Sequence, residues 1–277
     1  MDLTNLRERN MKLWKRAGAA GVLTVLLLGA SSALAQKSDD LKVSLGLKLW
    51  YNTWETGFFN NDPSTGTNVI SSTSDWKPAL IPSFSVRYKD FVASMGYFTK
   101  TSYSFANFSD MQNLTCCGPK NVTTAFSAKR DELDVNFGYF VAPQLAVTLG
   151  YKSVNQTYTV TESAPGVIFT PATSTSKTKN TAPTIGILGF APLGGGFTLY
   201  GNGAFGPMKS KFEDGSSAKG SYQSTELGVA HAFGNSGLSA SLGYKVQIID
   251  VKDAVTTGNQ RARDTTNGLI MGVTYTF

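Results

Sequence analysis

The chain has few residues of the kinds on which enzymes and metal sites most often depend. Its 277 residues include one histidine, His231, and two cysteines, Cys116 and Cys117, which are adjacent. Neither a CxxC pair nor a nearby histidine accompanies the cysteines, so their spacing does not indicate a metal site. In an oxidising compartment the alternatives are a loop disulfide between them, a bridge to another chain, or a merely rigid loop tip. We predict no cofactor and no metal.

Long apolar runs are absent after residue 35. No later stretch approaches the ~20 apolar residues that a membrane-spanning helix needs, and the mean hydropathy is near neutral at −0.11. The formal net charge is +6, but residues 1–35 hold five Lys/Arg and two Asp/Glu, so residues 36–277 carry only +3. Because no basic cluster accompanies this charge, we expect no nucleic-acid partner.

The amino-terminus has the order of features typical of a secretory signal peptide. Basic residues at Lys12, Lys15 and Arg16 precede an apolar run over 17–28, and Ala33-Leu34-Ala35 fits the cleavage pattern. We therefore predict a removed signal peptide over 1–35 and a single domain over 36–277.

Period-two alternation is the main positive signal in the sequence, and it is clearest at the carboxy-terminus. Counting back from the end, Phe277, Tyr275, Val273, Met271 and Leu269 are apolar, with mostly small or polar residues between them. This period places one apolar and one mostly polar face on a single strand.

The same alternation predicts ten strands, joined by connections that are alternately short and long. The predicted strands lie near residues 41–51, 80–88, 91–100, 130–141, 145–154, 183–192, 197–205, 224–233, 238–249 and 269–277. The short connections are 89–90, 142–144, 193–196 and 234–237, and the long, polar ones are 52–79, 101–129, 155–182, 206–223 and 250–265. The facing of the sixth and seventh strands stays open, because glycine-rich segments specify register poorly.

The last strand, with Tyr275 and Phe277 at its end, resembles the closing strand of bacterial outer-membrane β-barrels. The resemblance implies that these two residues are read by the barrel-assembly machinery and that outer-membrane lipid surrounds the protein. With the strand pattern, it predicts an all-β fold: a transmembrane, up-and-down antiparallel barrel of about 10 strands, with 8 or 12 as alternatives. Short turns would be periplasmic and long loops external, in a Gram-negative outer membrane. A soluble periplasmic sandwich would not explain the strict short–long rule.

The short turns also predict which inward charges face each other. If Val141 pairs with Leu145, Asp134 lies opposite Lys152. If Phe233 pairs with Leu238, Glu226 lies opposite Lys245. The inward charges expected at similar heights form one candidate lumen network: Lys48, Lys100, Arg130, Glu132, Asp134, Lys152, Glu226 and Lys245. Such a network either fills a narrow lumen with compensating pairs or forms a constriction that favours anions.

We predict a barrel without enzymatic activity. The interior of a barrel near eight strands is just filled by side chains, so ten strands favour a mostly plugged lumen or a narrow passage for small solutes. Resemblance to barrel proteases of the omptin family would imply a histidine at the outer rim, whereas His231 lies near the periplasmic end on the lipid-facing side. The alternatives are a small anion-favouring diffusion channel and a surface adhesin or receptor that acts through loops 101–129 and 155–182.

Overall fold

The computed structural model describes residues 41–60, 69–114, 118–164, 172–252 and 260–277. The predicted signal peptide over 1–35 and the Cys116–Cys117 pair lie outside these residues. Within them, no helix has the length and apolar character needed to cross a membrane.

The described residues form twelve strands, all paired in antiparallel fashion. Their bounds are β1 Lys42–Asn60, β2 Val69–Thr73, β3 Lys77–Tyr88, β4 Phe91–Ser104, β5 Phe108–Leu114, β6 Gly118–Ala142, β7 Leu145–Ser163, β8 Ala172–Gly194, β9 Phe197–Phe212, β10 Ser217–Ala232, β11 Leu238–Val251 and β12 Gln260–Thr276. Ten of them close into a ring in the order β1-β3-β4-β6-β7-β8-β9-β10-β11-β12. The short β2 and β5 pair only with β1 and β6, where they continue the wall beyond β3 and β4. The predicted ring of ten is confirmed.

The carboxy-terminal strand closes the ring. β12 pairs with β11 on one side and along most of β1 on the other, from Ser44–Thr276 to Asn60–Gln260. The backbone amide of Phe277 adds a 2.9 Å hydrogen bond to the carbonyl of Val43. Because closure pairs the backbone groups of both terminal strands, the barrel leaves no open sheet edge at this seam.

A broad band of apolar side chains faces outward near the short turns. Leu149 and Leu242 expose 62% and 57% of their surface, and Ile185, Ile187 and Phe205 face the same way. The last three settle the facing of the glycine-rich strands β8 and β9 that the sequence left open. A contiguous exposed apolar belt with inward polar residues is the surface pattern of barrels that sit in lipid.

We call the end of the barrel with the short turns the turn end, and the opposite end the extended end. At the extended end, the strands continue far beyond the predicted ones. Predicted loop 101–129 is mostly strand in β4, β5 and β6, and predicted loop 155–182 is mostly strand in β7 and β8. The loop predictions for these two segments are therefore wrong over most of their length. Beyond the apolar belt, the outward positions of the strands carry Thr, Ser, Asn and Lys rather than apolar residues.

Candidate functional site: the barrel interior

The interior near the turn end is lined by small polar side chains. They surround a cavity of about 370 Å³, a volume that corresponds to roughly a dozen waters. The small side chains that line it include Ser44, Ser83, Ser85, Ser94, Thr148 and Thr274. Because these side chains are short and hydroxylated, the lower lumen is polar and open rather than packed.

The turn end of the interior carries a small aromatic and cationic cluster. The Arg87 guanidinium carbon lies 4.0 Å from the ring centroid of Phe140. Phe140 in turn packs edge-on against Phe190, with ring centroids 5.9 Å apart. These contacts narrow the interior below the cavity.

Glu132 is the centre of the charged layer above the cavity. Its carboxylate lies 2.5 Å from Arg130 Nη2 and 2.6 Å from Lys152 Nζ. Lys152 also pairs with Asp134 at 3.3 Å. Arg130 and Glu132 expose only 1% of their surface. The predicted alignment of Asp134 with Lys152 is confirmed, with a bulge near Val141 that leaves the register intact over the rest of the pair.

The second predicted pair is arranged differently from the expectation. Glu226 and Lys245 are cross-strand partners, so the predicted register is confirmed. However, the carboxylate of Glu226 pairs with Lys48 Nζ at 3.0 Å, which joins β10 to β1. Lys245 Nζ lies 4.9 Å from the ring centroid of Trp50 instead, and no described carboxylate lies within ion-pair distance of it.

Lys100 does not belong to this network, so its predicted inward position is wrong. The pairing of β4 with β6 shifts between Phe98 and Thr101, and both of these side chains are buried. The extra residue of the bulge turns Lys100 to the outer surface, where it is exposed. The other seven predicted charges lie in the interior.

Several side-chain hydrogen bonds cross the lumen above the cavity. Gln247 Nε2 on β11 donates to Glu132 Oε1 at 3.1 Å, and Arg130 Nη1 donates to Thr266 Oγ1 on β12 at 2.6 Å. Gln156 Nε2 on β7 donates to Asp264 Oδ2 on β12 at 2.7 Å. In the ring of ten, β6 and β11 are diametrically opposite, as are β7 and β12. The walls are therefore joined through the interior.

An aromatic cluster fills one side of the interior beyond this layer. The ring of Trp54 lies 5.3 Å from Tyr103, 5.6 Å from Phe105 and 5.7 Å from Tyr158. Trp54 is fully buried, and Tyr103 donates a 2.7 Å hydrogen bond to Asn52 Oδ1. Sequence reasoning missed this cluster because its members fall in predicted loops, although the two-residue spacing of Tyr103 and Phe105 was a usable signal.

A second apolar cluster fills the other side of the interior. Its buried members come from strands β7 to β11: Val154, Ala182, Met208, Ala218, Tyr222, Ile249 and Val251. Together with the first cluster, it makes the upper half of the barrel a packed core rather than a channel.

Asp250 forms a charged clamp at the extended end, six residues beyond Tyr244 of the outer belt. Arg261 Nε donates to Asp250 Oδ1 at 2.6 Å, and Arg263 Nη2 donates to Oδ2 at 2.9 Å. Partial burial acts to raise the pKa of Asp250, but the hydrogen bonds from the two guanidinium groups outweigh it and hold that pKa below the ordinary 3.8.

His231 lies at the turn end on the outer surface. Its ring is 4.4 Å from Phe197 and 4.9 Å from Phe233, centroid to centroid. It therefore packs among exposed aromatic rings at the edge of the apolar belt and is remote from the buried charges.

Comparison with known proteins supports the fold. Neither a protein-family model nor a curated protein matches the chain. Among solved structures, the outer-membrane protease OmpT from Escherichia coli aligns with a TM-score of 0.56 and 13% identity, over 87% of this chain and 98% of that one. The translocator domain of the autotransporter NalP from Neisseria meningitidis aligns at 0.43 and 9%, over 98% and 96%. The toluene transporter TbuX from Ralstonia pickettii aligns at 0.35 and 11%, over 88% and 91%. The chain has the fold of bacterial outer-membrane β-barrels.

Proposed function

We propose that this chain is an integral β-barrel of the Gram-negative outer membrane, with a closed lumen, which acts at the cell surface through its extended end and without catalysis. The set of hydrogen bonds that joins opposite walls carries the proposal. A solute that crossed the barrel would have to break the buried ion pairs of Glu132 and displace the packed aromatic cluster around Trp54.

The outer surface supports the membrane location. Tyrosines rim the apolar belt toward the extended end, at Tyr51, Tyr97, Tyr151 and Tyr244, and all of them are exposed. Aromatic rings of this kind prefer the level of the lipid headgroups. At the other rim, Phe277 exposes 68% of its surface, which suits the role in barrel assembly that the terminal motif implies.

The length of the strands supports a role at the surface. A transmembrane β-strand needs about 9–11 residues, whereas β6 has 25 and β8 has 23. Roughly half of each strand therefore stands beyond the bilayer. This wall, rather than the predicted flexible loops, would present the contact surface of an adhesin or receptor.

Catalysis like that of the OmpT protease is not proposed for this chain. The fold is shared, but the chain's one histidine, His231, packs against Phe197 and Phe233 at the turn end. A hydrolytic site at the extended end would need its histidine base at that end, whereas His231 lies at the turn end.

Site-specific labelling tests the orientation. The test uses two single-cysteine variants in a C116S/C117S background: Ser216→Cys at the extended end and Asn235→Cys at the turn end. Intact cells that express each variant would be treated with a membrane-impermeant maleimide. We expect labelling at position 216 only. Labelling at position 235 only would overturn the orientation, and equal labelling of both positions in unbroken cells would overturn the membrane location.

Solute flux tests the closed lumen. Proteoliposomes that contain the folded chain should release small anions and sugars no faster than protein-free liposomes. Rapid anion release would reject the closed barrel in favour of the alternative, a small anion-favouring diffusion channel.

A further inference from the structure

Four exposed lysines form a dense cationic surface on the outer wall of β8, β9 and β10, which we call the lysine face. They are Lys179, Lys209, Lys211 and Lys219. Lys179 lies directly opposite Lys211 in the β8–β9 pair, and Lys209 lies directly opposite Lys219 in the β9–β10 pair. Directly opposed side chains have Cβ atoms about 4.5–5.5 Å apart, and like charges in such pairs destabilise a sheet.

All four side chains point away from the interior. The residues that flank them along the strands are buried on the inner face: Asn180, Met208, Ser210 and Ala218. Lys209 and Lys211 are two residues apart on one strand, so they share the outer face about 7 Å from each other. The four ammonium groups are therefore crowded on a patch only two residues high and three strands wide.

Acidic partners do not neutralise this patch within the described ranges. The nearest ion pair joins Lys177, beside the patch, to Glu213 at 3.3 Å. None of the four lysines lies within ion-pair distance of a described carboxylate. On the neighbouring part of the outer wall, the carboxylate of Asp131 accepts a 2.8 Å hydrogen bond from Asn155. Binding of an external anion would therefore reduce the electrostatic repulsion between the four ammonium groups.

The height of the lysine face on the barrel indicates what kind of anion it can reach. Phe205, with 63% of its surface exposed, lies on the same outer face of β9 four residues before Lys209. At about 3.3 Å per residue and a tilt near 40°, Lys209 stands about 10 Å above this apolar side chain. That distance places the lysines at the level of the lipid headgroups rather than out in the solvent.

We propose that the lysine face binds the phosphate groups of a multiply phosphorylated lipid of the outer leaflet. Phosphates that bridge the opposed ammonium groups would convert the repulsion between Lys179 and Lys211, and between Lys209 and Lys219, into attraction. Four flexible point charges on a convex wall suit a laterally mobile headgroup better than an enclosed soluble ligand. The inference rests on the proposed membrane location.

Binding to lipid in micelles tests the proposal independently of location. The folded full chain in neutral detergent would be titrated with a bisphosphorylated glycolipid and with the same lipid after dephosphorylation. The test variant is K209Q/K219Q, and the matched control is K42Q/K89Q, which removes two exposed lysines at the turn end. Each lysine near an anionic surface contributes about a fivefold factor in affinity, so we expect about 30-fold weaker binding for the test variant.

The control variant should bind like the wild type, and the dephosphorylated lipid should bind weakly to both. Equal losses in the two variants, or equal binding of the two lipids, would overturn the proposal. Inorganic pyrophosphate serves as the soluble arm: if it matches the lipid in affinity and competes with it, the ligand is a soluble anion and the lipid assignment is wrong. Unchanged heat-modifiable gel mobility shows that each variant still folds. Labelling at positions 216 and 235 shows separately whether the proposed membrane location is wrong.

Discussion

Gln156 donates a 2.7 Å hydrogen bond to Asp264 across the whole width of the barrel. The two residues lie on β7 and β12, which are five strands apart in a ring of ten. A round ring of ten strands, at 4.8 Å spacing and a tilt near 40°, would measure about 20 Å between opposite backbones. Since a glutamine and an aspartate together cannot span that distance, the barrel is flattened at this level.

This contact predicts energetic coupling between opposite walls. Hydrogen bonds to charged groups contribute about 1.5–3 kcal/mol. A double-mutant cycle of Gln156→Ala and Asp264→Ala should therefore give a coupling energy above about 1 kcal/mol in urea-induced unfolding from liposomes. Additive single effects would mean that the two walls do not meet.

Removal of the Glu132 carboxylate should destabilise the barrel strongly. Glu132→Ala leaves Arg130 without its ion-pair partner and Lys152 with only Asp134, and a broken buried pair costs about 3–5 kcal/mol in unfolding free energy. Equilibrium unfolding in lipid vesicles measures the loss.

The exposed pair of Glu213 with Lys177 is the matched control for Glu132. Both side chains are more than half exposed, so Glu213→Ala should cost less than about 1 kcal/mol. A similar cost for Glu132→Ala and Glu213→Ala would show that the interior charges are solvated rather than enclosed.

Gly268 on β12 is required by a close approach of backbones. A Cβ atom there would collide with the carbonyl oxygen of Tyr51 and lie 2.6 Å from the Cα of Asn52. Gly268→Ala should therefore cost about 3 kcal/mol or more, or prevent assembly. At Gly96, also inward, the nearest atom to a new Cβ is Ile81 Cγ2 at 3.7 Å, so Gly96→Ala should change the stability by less than about 1 kcal/mol. Heat-modifiable gel mobility and urea midpoints compare the two, and equal tolerance would refute the close approach.

The clamp of Asp250 predicts a pH dependence at the extended end. Because its pKa is depressed by hydrogen bonds from Arg261 and Arg263, Asp250 contributes stability that is fully present above the ordinary carboxyl pKa. That contribution is lost as the pH falls through the lower pKa of the folded state. The stability gap between wild type and Asp250→Asn should be constant near neutral pH and shrink below about pH 4. A gap that widens on acidification would contradict this sign.

Much of the half near the turn end was predictable from the sequence. Period-two alternation located the ten strands, and the short turn at 142–144 fixed the register that sets Asp134 beside Lys152. These features depend on local chemistry: lipid selects apolar residues on one face, and a tight turn permits few alignments. Closure between β1 and β12 was implied by the resemblance of the last strand to the closing strand of outer-membrane barrels, and the structure has that pairing.

The extended half was not predictable in the same way, for three physical reasons. Water on the outer face removes the apolar half of the alternation, so strand residues near Tyr103 and Tyr158 were assigned to loops. A single bulge reversed the facing of Lys100. Contacts across the lumen, such as Lys48 with Glu226, depend on the shape of the barrel cross-section. The register between neighbouring strands does not determine that shape.

Single-channel recording in planar lipid bilayers tests the closed lumen most directly. Insertion would be verified by protease protection and heat-modifiable mobility of the same preparation, with a known diffusion porin as the positive control. We expect a silent membrane, without stable conductance steps, because the ion pairs of Glu132 and the aromatic cluster around Trp54 block the path. Stable, anion-selective steps that change in Glu226→Gln or Lys245→Gln variants would contradict it.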